Sequence, residues 1–167
     1  MHNTYNKLSS INTMTITKPA VKLIGVSLGF KTTNENEKAA EDCGALWQNF
    51  SGSFMAPRIK GKLNKDIYAV YYDYDGDYTK TYAYFIGCPV ADDTEVPAGM
   101  ETITIPEQTY EVVVAKGQMP NCVADTWREI WKADNIDRAY GYDFEVYDSK
   151  SKDWMNAEID IYLSVKK

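Results

Sequence analysis

The sequence predicts an α+β fold: two β-α-β-β units related by a pseudo-twofold axis, with antiparallel sheets, two helices packed on one side and a central groove on the other. Three observations carry this expectation. Strand-like and helix-like periodicities follow each other in the same order in both halves. Val70-Tyr71 aligns with Val146-Tyr147, and the same twelve-residue step then leads to Tyr82 and to Glu158. Gly29 and Gly117 close the first strand of each unit, and Trp47 and Trp127 fall at matching places in the two helices.

The first unit opens on VKLIGVSLGF (21–30), an apolar run that ends at a glycine. A helix follows over about 35–51, where Ala40, Cys43, Trp47 and Phe50 recur at helical spacing. IYAVYYDY (67–74) and TYAYFIGCPV (81–90) are rich in aromatic and β-branched residues and read as paired strands. The turn-rich DDTEVPAG leads to a short extra strand, METITI (100–105). The second unit repeats the order: strand TYEVVVAKG (109–117), helix at about 120–134, then strands YDFEVYD (142–148) and AEIDIYLSV (157–165). Val123, Trp127, Ile130 and Trp131 form an i, i+4, i+7, i+8 stripe, and both tryptophan stripes read as core packing against the sheet. Residues 1–15 read as a polar, disordered leader, and 16–167 as the folded domain, with units over about 16–92 and 98–167. The stretch 52–65, which carries Arg58, Lys60 and Lys62, reads as a solvated basic loop.

Composition excludes several function classes. The 167 residues carry 24 acidic and 18 basic side chains, a net charge of −6 without basic clusters, which disfavours nucleic-acid binding. The one histidine is His2, in the leader, which argues against histidine-dependent hydrolases, histidine-metal centres and histidine-ligated haem. Cys43, Cys88 and Cys122 are odd in number and far apart, so they read as reduced core thiols. No stretch approaches the ~20 apolar residues of a membrane span, and no signal peptide is present, so the expected location is cytoplasmic. No cofactor is expected.

The aromatic inventory, 13 Tyr and 4 Trp against 5 Phe, has a positive reading. A hairpin centred near Ser151–Lys152 pairs Glu145 approximately with Glu158 on one face. Two carboxylates at that separation repel unless one is protonated or a cation lies between them. Tyr147, Tyr162 and Trp154 fall in the same region, Asp160 follows on the same face, and the other unit supplies Tyr68, Tyr71, Tyr82 and Tyr84. A groove walled by these rings and floored by carboxylate suits a flat, lipophilic cation. The competing reading is that the tyrosines merely cover a two-sided sheet.

The run PAGMETITIPEQTYEVVVAKG (97–117), then WREIW (127–131), RAYGYDFEVYD (138–148) and AEIDIYLSVK (157–166), resembles the gyrase-inhibitor-like family, the module that also serves as effector-binding domain in AraC-type and MerR-type multidrug regulators. The resemblance spans roughly residues 14–167. It implies a tandem β-α-β-β fold with a central groove and a last-strand glutamate at the pocket floor, matched here by Glu158, with Tyr82, Tyr84, Tyr147 and Tyr162 as stacking walls. The family's last strand tends to end E-x-D-x-Y-x-P, and Ser164 stands here in place of that proline. The expected function is a stand-alone binding module for amphipathic, cationic small molecules. The alternative is a hydrolase of strained electrophiles, with Glu145 and Glu158 as catalytic carboxylates. A protein partner, either a regulator or a topoisomerase, is a third expectation that rests on the resemblance alone.

Overall fold

The computed structural model describes residues 10–166 and contains one eight-stranded antiparallel sheet. In chain order the elements are β1 (Met14–Lys18), β2 (Val21–Ser27), α1 (Lys38–Gly52), α2 (Met55–Arg58), β3 (Ile67–Tyr72), β4 (Ala83–Val90), β5 (Glu101–Ile105), β6 (Gln108–Gly117), α3 (Asn121–Lys132), β7 (Asp143–Tyr147) and β8 (Ala157–Ser164). No helix among the described residues is long and apolar enough to cross a membrane.

The strand order, β1-β6-β8-β7-β3-β4-β2-β5, exhibits the duplication directly. β6-β8-β7 mirrors β2-β4-β3 across the seam where β7 pairs with β3. The sequence offset between the units is 76, from Val70 to Val146, and it also relates Ala69 to Glu145. These two residues are direct partners in the β3–β7 ladder, so the pseudo-twofold axis passes between them. Alanine on one side of the axis leaves one carboxylate there, where two would repel.

β1 corrects the leader expectation. Met14 and Thr15 belong to a strand paired with β6, and Ile11 packs beside the α3 core and hydrogen-bonds with Asn135 through both its N–H and its carbonyl. Residues 1–9, including His2, lie outside the described residues. The signal was present in the sequence: Thr15-Ile16-Thr17-Lys18-Pro19 repeats as Thr102-Ile103-Thr104-Ile105-Pro106. Each copy leads its unit, and each pairs with the first strand of the other unit, β1 with β6 and β5 with β2. The basic stretch likewise holds structure: α2 lies within it and Ile59 is buried.

Only Pro106 and Glu107 separate β5 from β6, although five strands lie between them in the sheet. Three Cα steps reach about 11 Å at most, so the sheet must curl to bring these strands together. Its inner face is closed by Leu23, Val70, Phe85, Ile105, Tyr110 and Phe144, all at most 1% exposed. Curling is eased where Gly25 and Gly87 face each other in the β2–β4 ladder. A Cβ on Gly25 would lie 1.9 Å from the Ile86 carbonyl oxygen. Gly25→Ala should therefore cost about 3 kcal/mol in urea unfolding, at the upper end for overpacking against backbone. Gly44→Ala, in α1 and with open space around the new methyl, should gain up to about 1 kcal/mol.

The outer face carries the helices. α1 packs with Leu46 and Phe50 on Ile24, Ala69, Ile86 and Cys88, and α3 packs with Val123, Trp127 and Ile130 on Val113, Ala115, Ile159 and Ile161. The two clusters meet at Tyr71 and Tyr147, beside the axis.

Candidate functional site: a buried glutamate beneath an aromatic cavity

Strand alternation puts Ala69, Tyr71, Glu145 and Tyr147 on the helix-bearing face of the seam. Glu145 is 1% exposed and accepts three hydrogen bonds. Tyr71 Oη and Trp127 Nε1 donate to its Oε2 at 2.6 and 2.7 Å, and Tyr147 Oη donates to its Oε1 at 2.6 Å. The donors are the landmarks of the duplication. Tyr71 and Tyr147 are equivalent under the offset of 76, and each carries the other unit's tryptophan edge-on, Trp127 against Tyr71 at 5.0 Å and Trp47 against Tyr147 at 4.9 Å. Trp47 differs from Trp127 in giving its N–H to Tyr84 Oη rather than to a carboxylate.

Burial pushes the Glu145 carboxyl above the ordinary carboxylate range, and the three donors oppose that shift without cancelling it. All three donors are neutral, and none of the ion pairs among the described residues includes Glu145.

Asp143, two residues earlier on the same face, is the built-in contrast. It is fully buried and accepts from Ser164 N, Ser164 Oγ, Tyr74 Oη and Arg138 Nη2, each at 2.7–2.8 Å. Asp143 thus has a resident cation in Arg138, which is 8% exposed, while Glu145 has none.

Above this layer a cavity of about 270 Å³ opens between α1 and α3. Tyr71 and Trp127 form its floor, Tyr74 and Tyr82 one wall, and Tyr78 stacked on Trp131 at 5.5 Å an outer wall. The space exists because α1 presents Ala39 and Ala40 to the gap and α3 presents Ala124. Cys43 also faces it, and burial pushes its thiol up, so it contributes as a neutral group. Asn34 accepts from Tyr82 Oη at 2.6 Å, which leaves little polar demand in that wall. The cavity therefore lies on the helix-bearing side of the sheet, not on the opposite side as the sequence suggested. The centre of the opposite face is filled by the packed rings that the curl encloses.

The register of the last hairpin separates the expected site residues. Glu145 pairs with Ile161, not with Glu158. The index sum is 306 rather than 303, and an odd shift turns the β8 side chains to the other face. Glu158 consequently projects from the inner face, opposite the helices, where it is exposed at the end of β8 near Lys116, at 3.8 Å, and Asp160 on that face pairs with Lys150 at 3.1 Å. Tyr162 and Tyr68 stack on either side of Phe144 on that same inner face, and Trp154 is exposed in the β7–β8 loop. Tyr71 and Tyr82 line the cavity, while Glu145, Tyr84 and Tyr147 lie beneath it. The carboxylate pair needed by the hydrolase alternative is not assembled. Among the described residues no cluster of His, Cys, Asp and Glu is arranged to hold a metal ion.

Comparison with known proteins places this geometry. The sequence model of Cass2, described as an integron-associated effector binding protein, matches residues 16–165. The chain belongs to the Cass2 family. That membership agrees with the resemblance to gyrase-inhibitor-like modules and makes the chain a small-molecule-binding protein of the effector-binding type. Its similarity to the Cass2 integron cassette protein of Vibrio cholerae is 26% identity with a TM-score of 0.71, over 92% of this chain and 95% of that one. YobU of Bacillus subtilis (strain 168), named as a candidate transcriptional regulator, is 29% identical over 144 residues, 84% of this chain and 90% of its own length. The structure of SAV2435 bound to tetraphenylphosphonium shares the Cass2 fold at a TM-score of 0.72 and 16% identity, over 93% and 94% of the two chains.

Proposed function

We propose that this Cass2-family protein binds amphipathic organic cations in the cavity between α1 and α3, with Glu145 as counter-charge. The observation that carries the reading is a fully buried carboxylate held by three neutral donors beneath an aromatic floor. Burying an anion without a cation is costly, and a ligand cation offsets that cost when it enters. Tyr71 and Trp127 mediate the effect. Their O–H and N–H groups point at Glu145, which makes their rings more electron-rich towards the cavity, where each cation–π contact contributes about 0.5–2 kcal/mol. The apolar lining and stackable Tyr78–Trp131 wall favour flat or aryl-substituted ligands over small hydrated ions.

Tetraphenylphosphonium, the ligand seen with SAV2435, is a suitable probe. Isothermal titration should show it binding, and more tightly as pH rises. The sign follows from Glu145: its carboxyl titrates above the usual range, so the anion that attracts the probe is depleted at low pH and complete only at higher pH. Affinity that is absent, or that falls as pH rises, would contradict this reading.

A further inference from the structure

The cavity of about 270 Å³ is smaller than the roughly 300–1,000 Å³ of sites that bury drug-sized ligands, so one of its walls has to yield to a cation bearing several rings. Most of the walls are fastened. Tyr71 and Trp127 donate to Glu145, Tyr74 Oη donates to Asp143 at 2.7 Å, and the Tyr82 backbone pairs in both directions with Thr32. Tyr78 differs. It sits at the tip of the β3–β4 connection, and side chains alone tie it to the rest of the described residues. The Asn34 amide donates to its carbonyl at 2.8 Å, the Tyr140 hydroxyl accepts from its N–H, and Trp131 stacks on its ring.

The pseudo-twofold mate of this tip shows that it is an autonomous turn. Asp77 Oδ1 accepts from Thr79 N, and the Asp77 carbonyl accepts from Lys80 N. At the offset of 76, Asp153 Oδ1 accepts from Met155 N and the Asp153 carbonyl from Asn156 N. Tyr78 thus corresponds to Trp154, whose carbonyl accepts from the main-chain N–H of Met119 at 2.7 Å and whose side chain is exposed. The turn keeps its shape there with its ring in solvent, so the same turn in the first unit can lift Tyr78 off Trp131 without unfolding. Below the tip, Asp75 N on the Thr81 carbonyl and Lys31 on Asp75 pin the connection, which confines the movement to residues 76–80.

We propose that Tyr78 is a lid latched by Asn34 and sets the size of ligand admitted: closed, it walls the cavity around a single-ring cation, and lifted, it admits multi-aryl cations. The lid rests on the cavity reading above, and two probes separate the two claims. Phenyltrimethylammonium carries one ring and tetraphenylphosphonium four.

Tyr78→Ala removes the lid and leaves the turn. It should tighten tetraphenylphosphonium about fivefold, since that probe no longer has to break the stack, and weaken phenyltrimethylammonium about threefold, since that probe loses a wall. Asn34→Ala keeps the ring but loses the latch, and should speed association of the phosphonium about fivefold. Thermal unfolding of both variants checks that the fold is kept. In the wild-type protein, nuclear Overhauser contacts between the Tyr78 and Trp131 rings should vanish on adding the phosphonium and persist with the smaller cation, a readout that needs no variant. Ring contacts that survive the phosphonium, affinity changes of the same sign for both probes in Tyr78→Ala, or an association rate unmoved by Asn34→Ala overturn the latched lid while the cavity stands. If neither probe binds the wild-type protein, the cavity reading falls and the lid with it.

Discussion

Glu145→Gln should weaken tetraphenylphosphonium binding about thirtyfold without weakening the fold. The carboxylate lies one ring beneath the cavity, roughly 7 Å from a bound charge, where Coulomb's law at an effective dielectric of about 20 gives about 2 kcal/mol. Glutamine can keep two acceptor contacts through its oxygen and turn its amide towards Tyr147, so the packing is retained. Stability should rise. A buried carboxyl that titrates above its unfolded value binds protons more tightly in the folded state, so the wild type loses stability as pH rises above 4.5, the ordinary value, until the buried group has itself ionised. The variant escapes that loss, and its Tm advantage should grow over that interval and then level off. Glu158→Gln, on the opposite face beside Lys116, should leave binding unchanged. If Glu158→Gln were the variant that loses binding, the assignment of the counter-charge would be reversed.

Asp143→Ala should have the largest effect on stability, a loss of about 3–5 kcal/mol, because it strands a buried arginine. It also removes the acceptor for Tyr74 Oη and for both Ser164 donors, which tie β7 to β8. For a chain of this size that corresponds to a fall of about 10–15 °C in Tm. Asp143→Asn, which keeps an acceptor but not the charge, should lose less. A Tm change of only a degree or two in Asp143→Ala would show that Arg138 finds another partner.

The Ser164 contacts give a physical account of a departure from the family pattern. The usual proline at that position has no N–H and no hydroxyl, whereas Ser164 uses both on Asp143 and offers its oxygen to Gly141 N. The substitution is part of the network that fixes Arg138 at the cavity.

Much of the architecture was legible because duplication leaves several landmarks in the same order in both units. Val70-Tyr71 against Val146-Tyr147 identified the two strands that meet at the axis, and Trp47 against Trp127 the helices that cover them. The repeated Thr-Ile-Thr-x-Pro was equally visible, but a polar N-terminal stretch read as leader concealed it. Trp127 packs in the core, as its helical stripe indicates, and the same ring also floors the cavity and holds Glu145. Tyr74 lay inside a predicted strand and Arg138 in a loop, and the only hint of their pairing with Asp143 was a single arginine among aromatic residues.

The sequence by itself determined the pair of β-α-β-β units, the aromatic inventory around their seam and the presence of carboxylates on the last two strands. Only the tertiary structure decided which carboxylate is buried. The β7–β8 connection is not a tight turn: Asp148 caps a short 3₁₀ turn at Ser149–Ser151, and the loop runs on to Asn156 before β8 starts. Its length sets the register, and because side chains alternate with a period of two, three residues of register put Glu145 under the cavity and Glu158 in solvent. The side of the sheet that holds the cavity was settled in the same way. Two-residue links between distant strands force the curl, the curl fills one face with packed rings, and the free volume is left between the helices on the other.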